Sequence, residues 1–216
     1  MTVTLPPRRR RSFVGAALVV LVLGVAVAAL YGRGWLTGNS SASECAPSVG
    51  VLSRLGPLAR GEVAAFQVAA QPERAPALAF DADDGSHKTL ADFNGRTILL
   101  NLWATWCEPC RREMPALDKL QADLGGPGFQ VIAVNIDTRN LDRPQVWLAN
   151  AGIGRLGYFS DKEAKIFQDL RRAKQAEGMP TTLLIDGHGC RLGTMSGPAE
   201  WASPDGLALI RAALPS

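Results

Sequence analysis

One segment of the chain reads Thr97-Ile-Leu-Leu-Asn-Leu-Trp-Ala-Thr-Trp-Cys-Glu-Pro-Cys110, an apolar run that leads directly into a Cys-x-x-Cys pair. The part from Thr97 to Trp103 is rich in branched residues, which predicts a buried strand. A second run of this kind spans Phe129 to Ile136, and the segment between the two has apolar residues at helical spacing. Strand, helix and strand in this order predict a βαβ unit with parallel, buried strands.

The rest of the chain supplies elements that complete one α/β domain. One or two short helices are predicted within Val49 to Ala69, where Gly56-Pro57 and Gly61 interrupt a helical pattern. After the βαβ unit the pattern predicts two helices, a β-hairpin and a last helix, at Arg143–Ala151, Lys162–Arg172, Thr182–Asp186 with Arg191–Ser196, and Ser203–Leu214. Residues 45–216 have the length of a single domain.

An apolar segment without a charged residue occupies Phe13 to Tyr31. As a helix its 19 residues would extend ~28 Å, about the thickness of a bilayer core. Four arginines precede it, and such residues favour the cytoplasmic side of a membrane. Residues 1–12 are therefore predicted to be a cytoplasmic tail, 13–31 a single-pass inner-membrane anchor, 32–44 a flexible linker, and the domain periplasmic.

Two alternative interpretations of this N-terminal region stay open. A cleaved signal peptide would have a shorter apolar stretch, with Ala26-Val27-Ala28 as its cleavage site. The sequence Arg10-Arg11-Ser12-Phe13-Val14 is similar to a twin-arginine export signal. All of these interpretations export the domain to a compartment where disulfides persist, so its four cysteines are expected to be redox or structural groups.

The distribution of charge argues against a nucleic-acid partner. Five of the 23 basic residues lie within the first 33 positions, which hold no acidic residue. The remainder of the chain is slightly acidic, whereas a nucleic-acid binder needs clustered cations on its folded part. No nucleic acid is expected among the partners.

The Cys107-Glu108-Pro109-Cys110 motif, at a strand-to-helix junction, predicts thiol–disulfide exchange. The three-residue offset at a helix start places both sulfurs on one face, close enough to form a disulfide. Cys107 faces unpaired backbone N–H groups and the positive end of the helix dipole, which stabilise a thiolate. We therefore predict Cys107 as the attacking sulfur and Cys110 as the buried resolving thiol.

Glu113 follows Cys110 by three residues, so it lies on a neighbouring part of the same helix surface. There it could exchange a proton with Cys110 during resolution of a mixed disulfide. The alternative is an ordinary solvated glutamate on a helix. Met114 is expected to be a core residue.

The second element of interest is Gly178-Met179-Pro180-Thr181, immediately before a predicted strand. A cis bond between Met179 and Pro180 would turn this strand toward Cys107 and leave the Met179 backbone free to pair with an extended substrate. On the residues alone, a trans bond is the default.

Five stretches of this sequence closely resemble the membrane-anchored periplasmic thioredoxins of the TlpA, ResA and CcmG type. Two carry the general likeness, Leu100-Asn-Leu-Trp-Ala-Thr-Trp-Cys-Glu-Pro-Cys-Arg-Arg-Glu-Met-Pro115 and Gly178-Met-Pro-Thr-Thr182. Three others resemble the TlpA branch in particular, namely Asn135-Ile-Asp-Thr138, Gly157-Tyr-Phe159 and Gly197-Pro-Ala-Glu-Trp-Ala202. The likeness extends over the whole predicted domain.

The resemblance implies a thioredoxin fold, a central mixed sheet flanked by helices, here with an N-terminal helical extension. It implies that Pro180 is cis, and that Trp106, Pro109, Met179 and Pro180 shape the substrate-binding surface. It also favours a proton-handling role for Glu113.

One position departs from ordinary thioredoxins. Asn101 stands six residues before Cys107, where thioredoxins carry a buried aspartate. A neutral amide cannot take a proton from the resolving cysteine, which strengthens the assignment of that role to Glu113.

The resemblance further implies a dedicated reductant without a cofactor. Its expected substrates are proteins with a disulfide or cysteine pair, among them assembly proteins of cytochrome c or of the copper site of cytochrome oxidase. A membrane electron donor of the DsbD or CcdA type is expected to re-reduce it, and a monomer is the default state. The alternatives are a periplasmic thiol oxidant or isomerase, and a thiol-based copper or haem chaperone without turnover.

Cys45 and Cys190 lie far from the Cys-x-x-Cys pair, and an exported protein rarely leaves two thiols unpaired. We predict a disulfide between them, which similar cysteines in TlpA support. Zinc is the rival for the thiols, with Cys107, Cys110, His188 and Cys190 as the ligand set. An oxidising compartment and a proline beside the cysteines argue against it, so no metal is expected.

Overall fold

An eight-stranded mixed sheet runs through residues 44–215, the part of the chain that the computed structural model describes. Its strands are β1 (Gln67–Arg74), β2 (Ala79–Ala82), β3 (His87–Thr89), β4 (Thr97–Trp103), β5 (Phe129–Asn135), β6 (Phe159–Ser160), β7 (Thr181–Ile185) and β8 (Cys190–Ser196). They are ordered β1-β8-β7-β4-β5-β6-β2-β3 across the sheet. The predicted hairpin corresponds to β7 and β8, which pair antiparallel.

Strand β4 lies at the centre, and every one of its residues is buried. It pairs in parallel with β5, from Thr97 opposite Phe129 to Trp103 opposite Asn135. On its other side it pairs antiparallel with β7, where Leu102 lies opposite Thr181. The first residue of β7 therefore lies next to the C-terminal end of β4, after which the Cys-x-x-Cys segment begins.

Within residues 44–215 there are five α-helices: α1 (Val49–Leu55), α2 (Glu108–Leu124), α3 (Arg143–Asn150), α4 (Lys165–Arg172) and α5 (Pro204–Ala213). Helix α2 connects β4 to β5, which confirms the βαβ unit. It buries Met114, Leu117 and Leu120, at three-residue spacing, against the core. The helix continues through Pro115, whose ring is exposed.

The region before the βαβ unit differs from the prediction at one end. Residues 67–69, assigned to a helical pattern, belong instead to β1, which pairs with β8. Val63, Phe66 and Ala69 are buried, so their three-residue spacing reflects burial rather than one continuous helix. A Cβ at Gly193 of β8 would lie 2.6 Å from the Gln67 carbonyl oxygen, so the approach of β1 requires glycine there.

Strands β2 and β3 extend the sheet on the side farthest from β1, and the sequence analysis did not predict them. They pair antiparallel with each other, and β2 also pairs with the two-residue strand β6. Three aromatic rings, those of Phe80, Phe93 and Phe159, pack together there with centroids 5.5–6.2 Å apart. Short strands of this kind have no sequence periodicity long enough to be recognised.

The predicted tail, anchor and nearly all of the linker, residues 1–43, lie outside the described residues. Within residues 44–215 no helix is both long and apolar enough to cross a membrane. The described domain begins at Glu44, which forms a salt bridge of 2.7 Å with Arg74 of β1.

Candidate active site

Cys107 and Cys110 form a disulfide at the start of α2, with an S–S distance of 2.02 Å and Cα atoms 5.3 Å apart. Cys107 precedes the helix, and its Sγ accepts a hydrogen bond from the backbone N–H of Cys110 at 3.3 Å. Cys107 retains 5% exposure, whereas Cys110 has none. The structure is thus the oxidised form, with the predicted attacking sulfur nearer to solvent than the resolving one.

Trp106 is the most exposed large apolar residue within the described part of the chain, at 64%. Pro109, in the first turn of α2, is half-buried. Each of these residues directly precedes one of the two cysteines in sequence, and together they offer an apolar surface beside them. Exposed apolar surface next to a reactive group is typical of a site for a protein partner.

The turn before Cys107 is stabilised by hydrogen bonds to Asp137, a buried residue that follows β5. Its two carboxylate oxygens accept hydrogen bonds from the backbone N–H and from the hydroxyl of Thr105, both at 2.9 Å. Asn135 donates a third at 2.7 Å. These bonds fix the backbone directly before Trp106 and Cys107.

The Met179–Pro180 bond is cis. Pro180 is buried and Met179 half-buried against the core. The Thr181 hydroxyl donates to the Gly178 carbonyl at 2.6 Å, and the Pro180 carbonyl accepts from the N–H of Gly197 at 3.0 Å. Because β7 starts next to the C-terminal end of β4, this turn and the cysteines lie at the same end of these two central strands.

Glu113 is not a solvated helix residue; the alternative interpretation is wrong, because only 2% of the residue is exposed. One carboxylate oxygen, Oε1, accepts a hydrogen bond from the Asn101 side-chain amide at 2.6 Å. The other, Oε2, accepts from the backbone N–H of Ala199 at 3.0 Å. The indole N–H of Trp201 also lies near the carboxylate without forming a hydrogen bond of normal geometry.

Burial raises the pKa of Glu113 from its ordinary value of 4.5 to about 7. The donors from Ala199, Asn101 and Trp201 favour the charged form and oppose this rise, while the charge of Glu200 adds to it. A carboxyl group with a pKa near neutrality can both take and return a proton at physiological pH.

A small cavity of about 220 Å³ reaches Glu113 from the surface. Its lining comprises Glu62, Arg112, Glu113, Pro198, Ala199 and Glu200. The Arg112 guanidinium forms a salt bridge with the Glu108 carboxylate, with an N–O distance of 2.7 Å. The cavity brings surface space next to the otherwise buried Glu113 side chain.

Cys45 and Cys190 form the second disulfide, and both are fully buried. Beside it the Ser48 hydroxyl donates to the Asp186 carboxylate, which also accepts from the N–H of Cys190 at 3.0 Å. The bond joins the segment before α1 to the start of β8. It thus attaches the N-terminal extension to the last hairpin.

The set of zinc ligands considered from the sequence is not assembled. Cys107 and Cys110 are bonded to each other, Cys190 is bonded to Cys45, and His188 is exposed. Within residues 44–215 no three His, Cys, Asp or Glu side chains are arranged to hold a metal ion.

The redoxin family profile matches residues 70–201, which include both active-site cysteines, Glu113 and the Met179–Pro180 turn. This chain belongs to the redoxin family. A curated relative of this redoxin, the thioredoxin-like protein YneN of Bacillus subtilis, is 40% identical over 74 residues, which is 34% of this chain and 43% of YneN. The thiol-disulfide oxidoreductase ResA of Geobacillus thermodenitrificans is 30% identical over 115 residues, 53% of this chain and 63% of ResA.

Among solved structures, a Chlorobium tepidum protein assigned as thiol:disulfide interchange protein DsbE is 33% identical, with a TM-score of 0.52. The likeness covers 64% of this redoxin and 92% of that chain. The predicted thioredoxin-like α/β fold with a mixed sheet is confirmed, and the described domain is of the thiol–disulfide oxidoreductase class. The alignments span about two fifths to three fifths of the two curated relatives.

Several residues at the site were missed or only partly interpreted from the sequence. Asn101 was recognised as a departure from thioredoxins, but not as a direct partner of Glu113. Asp137, Thr182 and Ala199 were not singled out, because each acts through a contact between distant segments. All three nevertheless lie in stretches that carry the family resemblance: Asp137 in Asn135–Thr138, Thr182 in Gly178–Thr182 and Ala199 in Gly197–Ala202.

Proposed function

We propose that this redoxin is a membrane-anchored periplasmic enzyme that reduces disulfides of specific proteins. The observation that carries the proposal is the arrangement at the start of α2. Cys107, which retains 5% exposure, lies beside the exposed Trp106, while Cys110 and Glu113, at 0% and 2%, are buried in the helix that follows. This arrangement separates attack on a partner from the internal step that releases it.

In the first step the Cys107 thiolate attacks one sulfur of the substrate disulfide. The substrate S–S bond breaks, a mixed disulfide with Cys107 forms, and the other substrate sulfur leaves as a thiolate that takes a proton from solvent. In the second step Cys110 loses its proton to the Glu113 carboxylate and attacks the Cys107 sulfur. The bond between Cys107 and the substrate breaks, and the second substrate sulfur leaves as a thiolate that takes a proton from solvent. Glu113 then returns its proton to solvent, and two electrons have passed from the dithiol to the substrate.

The product is the Cys107–Cys110 disulfide seen in the structure, so each further turnover needs two electrons from a donor. In an oxidising compartment we propose a membrane donor of the DsbD or CcdA type. We further propose that the substrates belong to cytochrome c or cytochrome oxidase copper-site assembly. The resemblance of the sequence to the TlpA, ResA and CcmG group supports both assignments.

A trapping experiment tests the turnover mechanism. Cys110→Ser should accumulate a mixed disulfide between Cys107 and its substrate, because the resolving thiol is absent, and a reducing agent should release it. Cys107→Ser is the control and should trap nothing. A Cys110→Ser variant with undiminished activity would favour a binding role without turnover.

The midpoint potential of the Cys107–Cys110 pair tests the direction of transfer. We expect a value of ~−200 mV or lower for the full-length chain in mild detergent, titrated against glutathione with alkylation as the readout. A value near ~−120 mV is typical of an oxidant and would reverse the proposed direction.

Localisation can be tested on reduced protein in intact cells. A maleimide that crosses the outer membrane but not the inner membrane should alkylate Cys107. After carbonate extraction the protein should remain in the membrane pellet. Release of a shortened chain into the soluble fraction would support the signal-peptide alternative, and an unlabelled Cys107 would contradict a periplasmic domain.

A further inference from the structure

Both oxygens of the Glu113 carboxylate are held by the segments that border the Met179–Pro180 turn. Oε1 is bound by Asn101, whose side-chain amide also donates to the Thr182 hydroxyl at 2.9 Å, two residues after Pro180. Oε2 is bound by the N–H of Ala199, two residues after Gly197, whose own N–H binds the Pro180 carbonyl. The carboxylate is therefore connected on both sides to the turn on which a substrate is expected to dock.

Asn101 is the side chain through which the first of these connections runs. It lies in the middle of β4, is fully buried, and uses its amide nitrogen for both bonds. Its Oδ1 has no hydrogen-bond partner among the described residues. A buried amide that leaves its own acceptor unpaired while donating twice costs stability, which is more typical of a functional than of a purely structural group.

The other polar groups around Glu113 do not replace this contact. Glu62, Arg112 and Glu200 line the small cavity that reaches the carboxyl group, and none of them hydrogen-bonds to it. The indole N–H of Trp201 lies near but forms no bond of normal geometry. Asn101 thus supplies the one side-chain hydrogen bond to Glu113 among the described residues.

We propose that Asn101, oriented by Thr182, is a positioning residue that holds the Glu113 carboxylate in register with the Met179–Pro180 turn and stabilises its charged form. The inference rests on the proposed function, in which Glu113 takes the proton of Cys110. Asn101 occupies a strand position beneath the helix and passes no proton itself. The ionised carboxylate only accepts, so it selects the amide nitrogen, and the second bond to the Thr182 hydroxyl holds the amide in that orientation.

The proposal predicts a displaced pH dependence. A hydrogen bond donated to a carboxylate favours the charged form, so its removal raises the pH at which the group ionises. Asn101→Leu keeps the number of side-chain heavy atoms and the branch at Cγ, and it has no donor. It should move the ionisation midpoint of Glu113 upward from about 7 by about one pH unit. The rate of the resolving step at pH 7 should then fall about fivefold, because the ionised fraction falls by that factor.

Thr182→Val is a milder variant, since valine fits a buried strand and Asn101 remains in place. It should raise the midpoint in the same direction by a smaller amount, and Thr182→Ser, which keeps a hydroxyl, should restore the value of the parent. Thr97→Val is the matched control. Thr97 is also buried in the sheet, but its hydroxyl donates to the Ala213 carbonyl at the other end of β4.

The measurement is made on the full-length reduced chain between pH 5 and 9. The rate of disulfide exchange with a disulfide-bearing peptide gives the pH profile, and the carboxyl carbon of Glu113 is titrated by NMR. That resonance is assigned as the one missing from Glu113→Gln. Thr97→Val should lower the unfolding free energy without moving the midpoint.

An unchanged midpoint in both Asn101→Leu and Thr182→Val, with reduced stability, would overturn the proposal and make the contact purely structural. Failure of Thr182→Ser to restore the midpoint would overturn the role of Thr182. If Glu113→Gln exchanges at the parent rate, the inference fails, while a mixed disulfide trapped by Cys110→Ser still supports the proposed function. The two failures are thereby distinguishable.

Discussion

Glu113 carries its carboxyl group into the core from a helix, while the strand position beneath the cysteines holds the neutral Asn101. The acid and the amide meet at 2.6 Å, inside a region from which water is largely excluded. Burial of a carboxyl group is expensive unless its charge is compensated, and no cation bonds to it within the described residues. A neutral donor set leaves the pKa near 7, which suits reversible proton transfer.

Glu113→Gln should slow the resolving step without unfolding the domain. An amide cannot take the proton of Cys110, and loss of a general base typically costs on the order of 100-fold in rate. The measurement is stopped-flow exchange with a disulfide-bearing peptide at pH 7. Asp123→Asn, an exposed acid of the same helix, is the control and should exchange at the parent rate. An unaffected Glu113→Gln would show that Glu113 handles no proton.

The same residue links stability to pH. Its pKa is 4.5 in an unfolded chain and about 7 in the folded one, so above pH 4.5 the folded state binds more protons than the unfolded state. The contribution of Glu113 to the unfolding free energy is greatest below about pH 4.5. It decreases by up to about 3 kcal/mol as the pH rises from there to about 7.

Glu113→Gln should therefore be more stable than the parent at pH 8, and the difference should disappear toward pH 5. Urea unfolding at a series of pH values measures it. A stability difference that does not vary with pH would show that Glu113 ionises normally in the folded state.

At the scale of elements, the N-terminal segment is attached to the hairpin by the Cys45–Cys190 disulfide. The two cysteines are 145 residues apart in sequence, and both sulfurs are buried. A cross-link of this length removes much of the conformational freedom of the unfolded chain. The disulfide lies at the start of β8, whereas the reactive pair follows the end of β4.

Cys45→Ala combined with Cys190→Ala should lower the unfolding free energy by about 2 to 5 kcal/mol, because the unfolded chain gains freedom when the cross-link is lost. Disulfide exchange at Cys107 should persist at temperatures where the variant is folded. Thermal and urea unfolding, together with the exchange assay, measure both effects. Equal stability with and without this disulfide would contradict the prediction, and loss of exchange in the folded variant would assign it a redox role.

At the scale of the whole molecule, the described residues contain the Cys107–Cys110 pair, Glu113 and the Met179–Pro180 turn in one domain. The core is continuous from α1 through the sheet to α5. The Cys-x-x-Cys pair and the Met179–Pro180 turn lie at the same end of the central strands β4 and β7. The partly apolar cavity of about 420 Å³ between α1, the β7–β8 turn and the last residues of the chain contains none of these groups.

A fragment that begins at Glu44 should therefore fold cooperatively and exchange disulfides at a rate within about twofold of the full-length chain, since its core and both disulfides are complete. Circular dichroism during urea unfolding and the peptide exchange assay measure this. A fragment that is unfolded, or folded but inactive, would show that residues before Glu44 are required.

Local patterns were sufficient to predict the centre of this protein. The apolar runs of β4 and β5, the helical spacing in α2 and the position of Cys107 and Cys110 at a helix start each depend on neighbours within a few residues. Such short-range constraints are imposed by backbone geometry and side-chain periodicity, so they can be recognised in a single sequence.

The tertiary structure alone decided which groups surround Glu113. Its partners Asn101 and Ala199 are separated from it by 12 and 86 residues, and Thr182 is 81 residues from Asn101. Strands β1 and β2 likewise depend on pairing with distant segments, namely β8 and β6. A carboxyl group acquires its pKa from burial and from the donors that surround it, and both arise only when the sheet brings these segments together.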